Sequence, residues 1–252
     1  VFKARNLDFR VRVQAEGDIF NINQLLLNIF LCYIVPMFYF EDFYGTKILK
    51  SDLLEGITAF FSTRDLPDLT KLGADRILSP NQTHSDNVEF VDERSEYPNT
   101  DGLILTNQNN AVYLRFADCT PLIFYDTTQK IAAVSHAGWR GTAQKIGVKT
   151  IEKMHSVPKD IIALIGPAIS MCCYEVSEEV RDTLLSTVKE TEGLFINRNV
   201  DLKRINAQQL KEIGVEKIDI CPYCTSCDND LFYSYRRENG TDKRHIAVAK
   251  LL

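Results

Sequence analysis

The sequence predicts an α+β layered domain, and three observations carry that expectation. Short apolar runs follow one another closely through the middle of the chain, a turn signal joins two of them, and helical patterns bunch later. Strands joined by tight turns pair antiparallel, and helices that arrive afterwards pack on the sheet instead of alternating regularly with it. Taken in order, strands are expected at 102–106, 111–117, 121–125, 131–136, 160–165, 217–220, 231–235 and 245–251, where β-branched and aromatic residues dominate. Between the third and fourth, Asp126-Thr-Thr-Gln-Lys130 is a turn signal that closes an antiparallel hairpin. The clearest helix is 142–155, whose Ala143, Ile146, Gly147, Ile151 and Met154 recur at near-helical spacing, with Pro158 soon after. A second helix, 177–189, opens on Ser177 as N-cap, with Glu178 and Glu179 in its first turn. A third, 206–213, ends at Gly214. No repeat, low-complexity tract or long linker divides 37–252, so that span is expected to be a single domain.

Residues 1–36 read differently. The first methionine is Met37, and Leu25 to Phe40 form an apolar stretch broken by Asn28 and Pro36. It falls short of the ~20 residues of a spanning helix. Lys3, Arg5, Arg10 and Arg12 lie too far upstream, mixed with Glu16 and Asp18, for a secretory signal. The expectation is an extension foreign to the functional chain, which then starts near Met37. The alternative is an amphipathic or buried N-terminal element.

At 252 residues and 45% hydrophobic content the chain can bury one substantial core or two small ones. A formal charge of −5 argues against nucleic acid or an anionic membrane as the main partner, leaving small molecules or proteins. Seven cysteines, two of them adjacent (Cys172 and Cys173), fit a reduced cytoplasmic compartment better than a disulfide framework. A monomer or weak homodimer is expected.

The chemistry concentrates in His136-Ala-Gly-Trp-Arg-Gly141, where a histidine ends an apolar strand and glycines flank the only tryptophan. Upstream, Gln82-Thr-His84 and Ala117-Asp-Cys119 carry a second imidazole and a thiol. Two histidines and a cysteine match the three protein ligands of a catalytic metal with one open position. His84, Cys119 and His136 are separated by 35 and 17 residues, so no local spacing rule supports the set. A lone histidine is more often a satisfied polar group, and a strand-end cysteine a small hydrophobe. Context favours the metal set, because Cys119 and His136 both emerge at strand ends and converge if those strands are neighbours. Gly138 and Gly141 permit close backbone approach. The helix expected after Gly141 offers free N–H groups to an anion, with Arg140 beside them. The alternative is a tight turn with Trp139 in the core and Arg140 solvated. Tyr174 and Glu175, in a loop after Gly166-Pro-Ala-Ile169, either orient substrate or simply pack. Cys221-Pro-Tyr-Cys224-Thr-Ser-Cys227 is half of a zinc or iron–sulfur motif without its second pair, so structural thiols are expected there. Arg236 and Arg237 follow an aromatic run, placed for phosphate or for solvent.

These residues resemble the YfiH-like family, also called the polyphenol oxidase or laccase-domain family and the YfiH-type purine nucleoside phosphorylases. The matching stretches are Phe60-Phe-Ser-Thr-Arg64, Gln82-Thr-His84, Ala117-Asp-Cys-Thr-Pro121, His136-Ala-Gly-Trp-Arg-Gly141, Gly166-Pro-Ala-Ile169 with Tyr174-Glu-Val176, Cys224-Thr225 and Tyr233-Ser-Tyr-Arg-Arg237. They stand in family order from about Ile57 to the C-terminus. The resemblance implies a four-layer α/β/β/α sandwich with mixed sheets (CNF/YfiH-like). It also implies zinc held at His84, Cys119 and His136. One departure is a shortened segment at 65–80, where relatives carry a Gly-rich loop and an Asn-Arg pair lining the nucleoside pocket.

The activity implied is phosphorolysis of adenosine, inosine or methylthioadenosine, with adenosine deaminase activity as a companion hydrolase reaction. Phosphorolysis needs an anion cradle, stabilisation of a cationic sugar and a proton for the departing base. Arg140, Arg64, Gln82 and Arg236 are the expected phosphate and substrate contacts, Asp118 a proton carrier, and Cys119 a catalytic ligand. Two other readings compete. A copper-dependent polyphenol oxidase needs more histidines than His84, His136, His155 and His245 provide. A cysteine hydrolase or amidase acting on peptidoglycan precursors would use Cys119 as nucleophile and a histidine as base.

Overall fold

The strand Thr120–Asp126 (β8) is buried at every position, which its near-continuous apolar sequence requires of a sheet covered on both faces. The computed structural model describes residues 38–252. The expected extension 1–36 lies outside the described residues. β8 sits in one of two six-stranded sheets, flanked by Ile131–Ala137 (β9) and Ile161–Ile165 (β10). Lys217–Ile220 (β13) closes one side of that sheet; Gly102–Leu105 (β6) and Val88–Phe90 (β5) close the other. The second sheet runs Phe38–Phe43 (β1), Thr46–Ser51 (β2), Ile57–Ser62 (β3), His245–Leu251 (β14), Asn110–Phe116 (β7) and Arg76–Leu78 (β4). Both sheets are mixed, and a separate two-stranded ribbon pairs Phe195–Ile196 (β11) with Asn199–Val200 (β12). β10 with β13, β5 with β6 and β4 with β7 pair parallel, and the remaining neighbours pair antiparallel.

The two sheets share one core, with Phe61, Leu114 and Phe116 from one side meeting Leu103, Ile123 and Leu164 from the other. Each such side chain contributes about 1.5–3 kcal/mol by leaving water. Behind β8 and β10, the helices Ile146–Lys153 and Leu202–Glu212 cover Phe124 and Ala163. Across the molecule, Phe60 and Val248 pack under Leu69 and Leu72 of a single 3-10 turn. The fold is therefore α+β with helix, sheet, sheet and helix in sequence, one outer layer being that single turn among the described residues. No helix of the described residues is long and apolar enough to cross a membrane.

Several elements differ from the sequence-based expectation. The segment 231–235 is not a strand. Its apolar alternation is real, with Phe232 fully buried, but its backbone turns instead of pairing: Leu231 and Phe232 donate to the Asp228 carbonyl. The helix expected at 142–155 is two helices, Trp139–Ala143 and Ile146–Lys153, broken where Lys145 adopts a left-handed backbone (φ 57°). At the break, Gln209 Nε2 donates to the Thr142 carbonyl at 3.0 Å and Asn206 Nδ2 to its hydroxyl at 2.9 Å. The Thr142 carbonyl also takes the Lys145 amide at 3.0 Å, so it is satisfied without the bond from four residues on that a continuous helix would supply. The helix expected at 177–189 spans Glu178–Leu185, with Ser177 as the N-cap accepting from the Val180 amide. The third helix starts earlier than expected, at Leu202, because Asp201 accepts from the Arg204 amide as its cap. β4 and β5, at three residues each, are too short to show periodicity. β1 begins inside the apolar stretch read with the N-terminal segment.

The Asp126 hairpin closes as expected. Asp126 is buried, and its carboxylate accepts from the amides of Thr128 (2.8 Å) and Gln129 (2.7 Å) and from Gln129 Nε2 (2.9 Å). Burial alone would raise its pKa, but bonds from Ser156, Gln129 and Thr128 prevail and hold it below the usual 3.8. A carboxylate whose pKa falls on folding adds stability above its unfolded value, and that stability drains away as pH drops through the folded value. Asp126→Asn is expected to lose about 2 kcal/mol at pH 7. Urea unfolding at stepped pH should show wild type and variant converging below 3.8; a pH-independent difference would contradict this assignment.

Candidate metal centre

One edge of the sheet gathers the chemistry. β8 and β9 run antiparallel with Pro121 opposite His136 and Thr120 opposite Ala137. Cys119, just before β8, and His136, near the end of β9, therefore emerge side by side. β6 enters at the same edge, with Gly102 opposite Ser135, which sets Asp101 there too. His84 comes from the loop between β4 and β5. The ligand atoms of His84, Cys119 and His136 all lie within 4.8 Å of one another. The two imidazole rings stand 4.9 Å apart, steeply inclined at 72°.

Asp101, 0% exposed, organises this arrangement. Its Oδ1 accepts from His136 Nδ1 at 2.8 Å and from the His84 amide at 3.1 Å. Its Oδ2 accepts from the amides of Thr83 (3.1 Å) and Ser85 (2.7 Å) and from the Ser85 hydroxyl (2.7 Å). With Nδ1 committed to the carboxylate, the other nitrogen of His136 is left to face Cys119. That is the carboxylate–histidine pairing that supports metal ligation. Burial works against the Asp101 anion, yet His136 and Ser85 bring its pKa down to about 2. Burial likewise opposes the Cys119 thiolate, but His136 and His84 outweigh it and lower the thiol to about 6. His136, despite burial, is raised to about 9 by Cys119 and Asp101. Each of the two groups thus favours the charged form of the other. A cation of higher charge can take the proton's place among the same donors.

The donor set fits such an ion on the chemistry of its atoms: two imidazoles and a thiolate, one imidazole anchored by a carboxylate, opening onto a cleft. The backbone is shaped to allow it. His84 (φ 62°) and Asp118 (φ 86°) adopt left-handed conformations uncommon for non-glycine residues. A Cβ on Gly138 would stand 3.0 Å from Cys119 Sγ and 3.1 Å from His84 Cδ2, so any larger residue pushes these side chains apart by a few tenths of an ångström.

The cleft above the three ligands has a volume of about 1100 Å³. Arg115, Arg236 and Arg244 bring positive charge to its walls, and Tyr97, Tyr174 and Tyr235 bring aromatic surface. Burial and the nearby Cys119 push the Tyr174 phenol up to about 12, against the pull of Arg236. It stays protonated at neutral pH. Arg236 lies over the Tyr174 ring at 5.3 Å and donates to the Glu175 carbonyl at 3.1 Å.

The remaining expected residues divide. Asp118 lines the cleft, but both of its oxygens are engaged, by the Thr225 hydroxyl and the Arg236 amide, each at 2.7 Å. Gln82 also lines it, with its amide clasping the Arg115 backbone in both directions at 2.9 Å. Arg64 is not among the lining residues; its guanidinium pairs with Glu238 at 2.6 Å and stacks on Tyr233. Arg140 is exposed and lies over Trp139 at 4.4 Å, also outside the lining. The helix begins at Trp139, so Arg140 is within the first turn instead of ahead of it. Of the shortened 65–80 segment, Ser79 and Pro80 reach the cleft. Sequence reasoning missed Asp101, Arg115 and Arg244. Only the placement of Asp101 immediately before an apolar strand hinted at a strand-end role.

The sequence profile of the multi-copper polyphenol oxidoreductase laccases matches residues 62–251. The chain belongs to this family, the YfiH-like proteins. Among its relatives, the purine nucleoside phosphorylase YlmD of Bacillus subtilis is 37% identical over 188 residues, covering 66% of this chain and 67% of that protein. A purine nucleoside phosphorylase of Aquifex aeolicus is 34% identical over 182 residues, 71% of this chain and 85% of that protein. The crystal structure of YlmD from Geobacillus stearothermophilus superposes with a TM-score of 0.77 at 26% identity, over 85% of this chain and 99% of that one. YfiH of Bacillus licheniformis matches equally, with a TM-score of 0.77 at 27% identity.

Because Gly138 touches both ligands yet carries no ligand atom, Gly138→Ala is expected to spread the donors and weaken divalent-ion binding about tenfold or more. Competition against a chromogenic chelator measures this, with far-UV circular dichroism as the control for folding. Unchanged affinity would remove the close-approach argument.

Proposed function

We propose that the protein is a zinc-dependent purine nucleoside phosphorylase whose catalytic domain is 37–252, with purine nucleoside and inorganic phosphate as substrates. The observation that carries this reading is the meeting of His84, Cys119 and His136 at one cleft together with Arg115, Arg236 and Arg244. Kinship with proteins named purine nucleoside phosphorylase supports it. In the reaction a phosphate oxygen bonds to the sugar C1′ as the bond from C1′ to the base nitrogen breaks. The electron pair leaves with the base, which takes up a proton. The products are ribose 1-phosphate and free purine.

His84, Cys119 and His136 hold the zinc in this reading, and Asp101 orients His136 for it. Zinc bound there supplies a Lewis acid for a substrate oxygen, or an activated water for the adenosine deaminase reaction. Arg236, one of the arginines expected to bind phosphate, keeps that part with Arg115 and Arg244, because these three line the cleft and Arg64 and Arg140 do not. Guanidinium groups suit a phosphate because their planar fork of donors matches its oxygens. Tyr174, held as a neutral phenol, donates a hydrogen bond to the sugar or the departing base. Asp118 positions the Arg236 backbone, since both of its oxygens already serve that loop. Gln82 holds the Arg115 strand at the rim.

A second reading rests on the lowered thiol of Cys119 beside His136, a pairing that also suits a cysteine hydrolase. The copper oxidase is less well supported. Among the described residues no histidine besides His84 and His136 joins a group of potential metal ligands, and several such groups are needed for a multi-copper centre.

Chromatography of adenosine, inosine and methylthioadenosine incubations, with and without phosphate, tests the reading. Free base should appear only with phosphate, and inosine from adenosine reports the deaminase branch. Cys119→Ala should abolish both reactions, and Asp101→Asn should lower them about 10- to 100-fold. Arg236→Ala should raise the KM for phosphate about tenfold or more, the worth of one charge-assisted contact. A metal-free protein that turns nothing over with phosphate, yet cleaves amides until its thiol is alkylated, would replace the phosphorylase with the hydrolase.

A further inference from the structure

Four thiols distant in sequence meet beside this cleft, in a group separate from His84, Cys119 and His136. Cys172 and Cys173 lie in the loop that follows β10, and Cys224 and Cys227 in the loop that follows β13. β10 and β13 are parallel neighbours, with Ile165 opposite Ile220, so both loops leave the sheet at the same edge. Cys227 Sγ is 3.6 Å from Cys172 Sγ and 3.4 Å from Cys173 Sγ, and all four sulfurs lie within 4.8 Å of one another. The second pair that Cys224-x-x-Cys227 lacks in its own stretch of sequence is supplied by the adjacent Cys172 and Cys173.

The spacing is informative. Four thiolates around one ion at a zinc–sulfur distance of about 2.3 Å form a tetrahedron whose edges are about 3.8 Å. The two measured separations, 3.6 and 3.4 Å, fall just short of that value, and none of the others exceeds 4.8 Å. An iron–sulfur cluster would place iron and inorganic sulfide between the thiolates and hold them farther apart. The group runs from buried Cys224 to exposed Cys172 and Cys227, and its surroundings suit an anionic cluster at the surface. The Ser170 amide donates to Cys224 Sγ at 3.4 Å, as backbone N–H groups do to metal-bound thiolates. The turn between Cys224 and Cys227 is pre-formed, with the Asp228 amide on the Cys224 carbonyl at 2.8 Å and Asp228 Oδ2 on the Cys224 amide at 2.9 Å. Two cations hold this loop. Buried Lys203 donates to the carbonyls of Cys221 (2.7 Å) and Tyr223 (2.9 Å), and Arg237 to that of Ser226 (3.0 Å).

We propose that Cys172, Cys173, Cys224 and Cys227 bind one structural zinc ion that staples the two loops forming a wall of the cleft. Binding exchanges the thiol protons, released to solvent, for four zinc–sulfur bonds; no electron is transferred. The staple acts on the cleft through neighbours in sequence. Tyr174 follows Cys173, and Thr225 follows Cys224 and donates to Asp118 at 2.7 Å. The Ile169 amide reaches the Asp118 carbonyl at 3.0 Å from the first of the two loops. The site stands independently of the proposed activity.

Metal analysis of protein produced with zinc and without added chelator tests it. The expected result is two zinc ions per wild-type chain, one in Cys119→Ala and one in the double variant Cys172→Ser/Cys227→Ser. The double variant should also unfold at a lower temperature. Cobalt-substituted Cys119→Ala should show the strong thiolate-to-metal charge-transfer absorption of a four-sulfur tetrahedral site. One ion in wild type that persists in Cys119→Ala would sustain this proposal while removing zinc from the phosphorylase reading. Folded Cys119→Ala with no bound metal would overturn the proposal. So would an intact mass short of the reduced chain by two or four hydrogens, which identifies disulfides. Should either variant fail to fold, wild type loaded with cobalt decides, because four sulfur ligands absorb far more strongly than one.

Discussion

The buried carboxylate of Asp101 is the constraint on which the candidate site rests. Removing an unpaired carboxylate from water costs several kcal/mol, and here five donors offset that cost: three consecutive amides, a serine hydroxyl and the His136 ring. Hydrogen bonds to a charged group contribute roughly 1.5–3 kcal/mol each, so the donors win and the group remains an anion. The same bonds join the loop carrying His84 to the strand carrying His136. Two ligands that no sequence spacing relates are thereby held in one frame, and the ring nitrogen left free is determined by the one that is bound.

Around that anchor the sheet provides a rigid edge. β9, β10 and β13 end there while β6 and β8 begin there. The loops bearing Cys119, Gly138, Tyr174, Cys224 and Arg236 therefore issue from one rim, although they are spread across more than a hundred positions of the chain. Local backbone cost is concentrated at this rim. His84 and Asp118 occupy left-handed conformations, which persist only where the surroundings over-determine them. The Asp101 bonds do so for the first. The Thr225, Ile169 and Arg236 bonds do so for the second.

Two groups of potential metal ligands on one rim differ in makeup. The first mixes sulfur with nitrogen and opens to the cleft, which leaves room for a substrate or water beside an ion. The second is all sulfur and joins two loops, which suits closure and stiffness. The arginines of the cleft belong to the same economy of position. Arg236 is held through its own amide by Asp118, so its guanidinium projects over Tyr174 from a fixed base.

The sequence alone determined the apolar strands from 102 to 165, the Asp126 hairpin, the Ser177 cap and the α+β class, because each rests on local periodicity or on a bond between near neighbours. It also marked Cys119 and His136 as strand-end heteroatoms, with His84 as a third candidate that no spacing tied to them. Asp101 escaped notice, because its partners lie up to 35 positions away and nothing in Asn99-Thr-Asp101-Gly102 distinguishes a clamp from a turn. Arg64 and Arg140 looked equivalent to Arg236 in sequence, and only packing turned one toward the cleft and engaged the others with Glu238 and Trp139. The strand expected at 231–235 and the unbroken helix expected at 142–155 failed for a related reason. Both have the right apolar pattern, but the first turns on the nearby Asp228 carbonyl and the second breaks at Lys145, where Gln209 bonds the Thr142 carbonyl. The tertiary structure decided which polar atoms find partners, because hydrogen bonds and metal ligation depend on distances of a few ångströms that linear spacing does not encode.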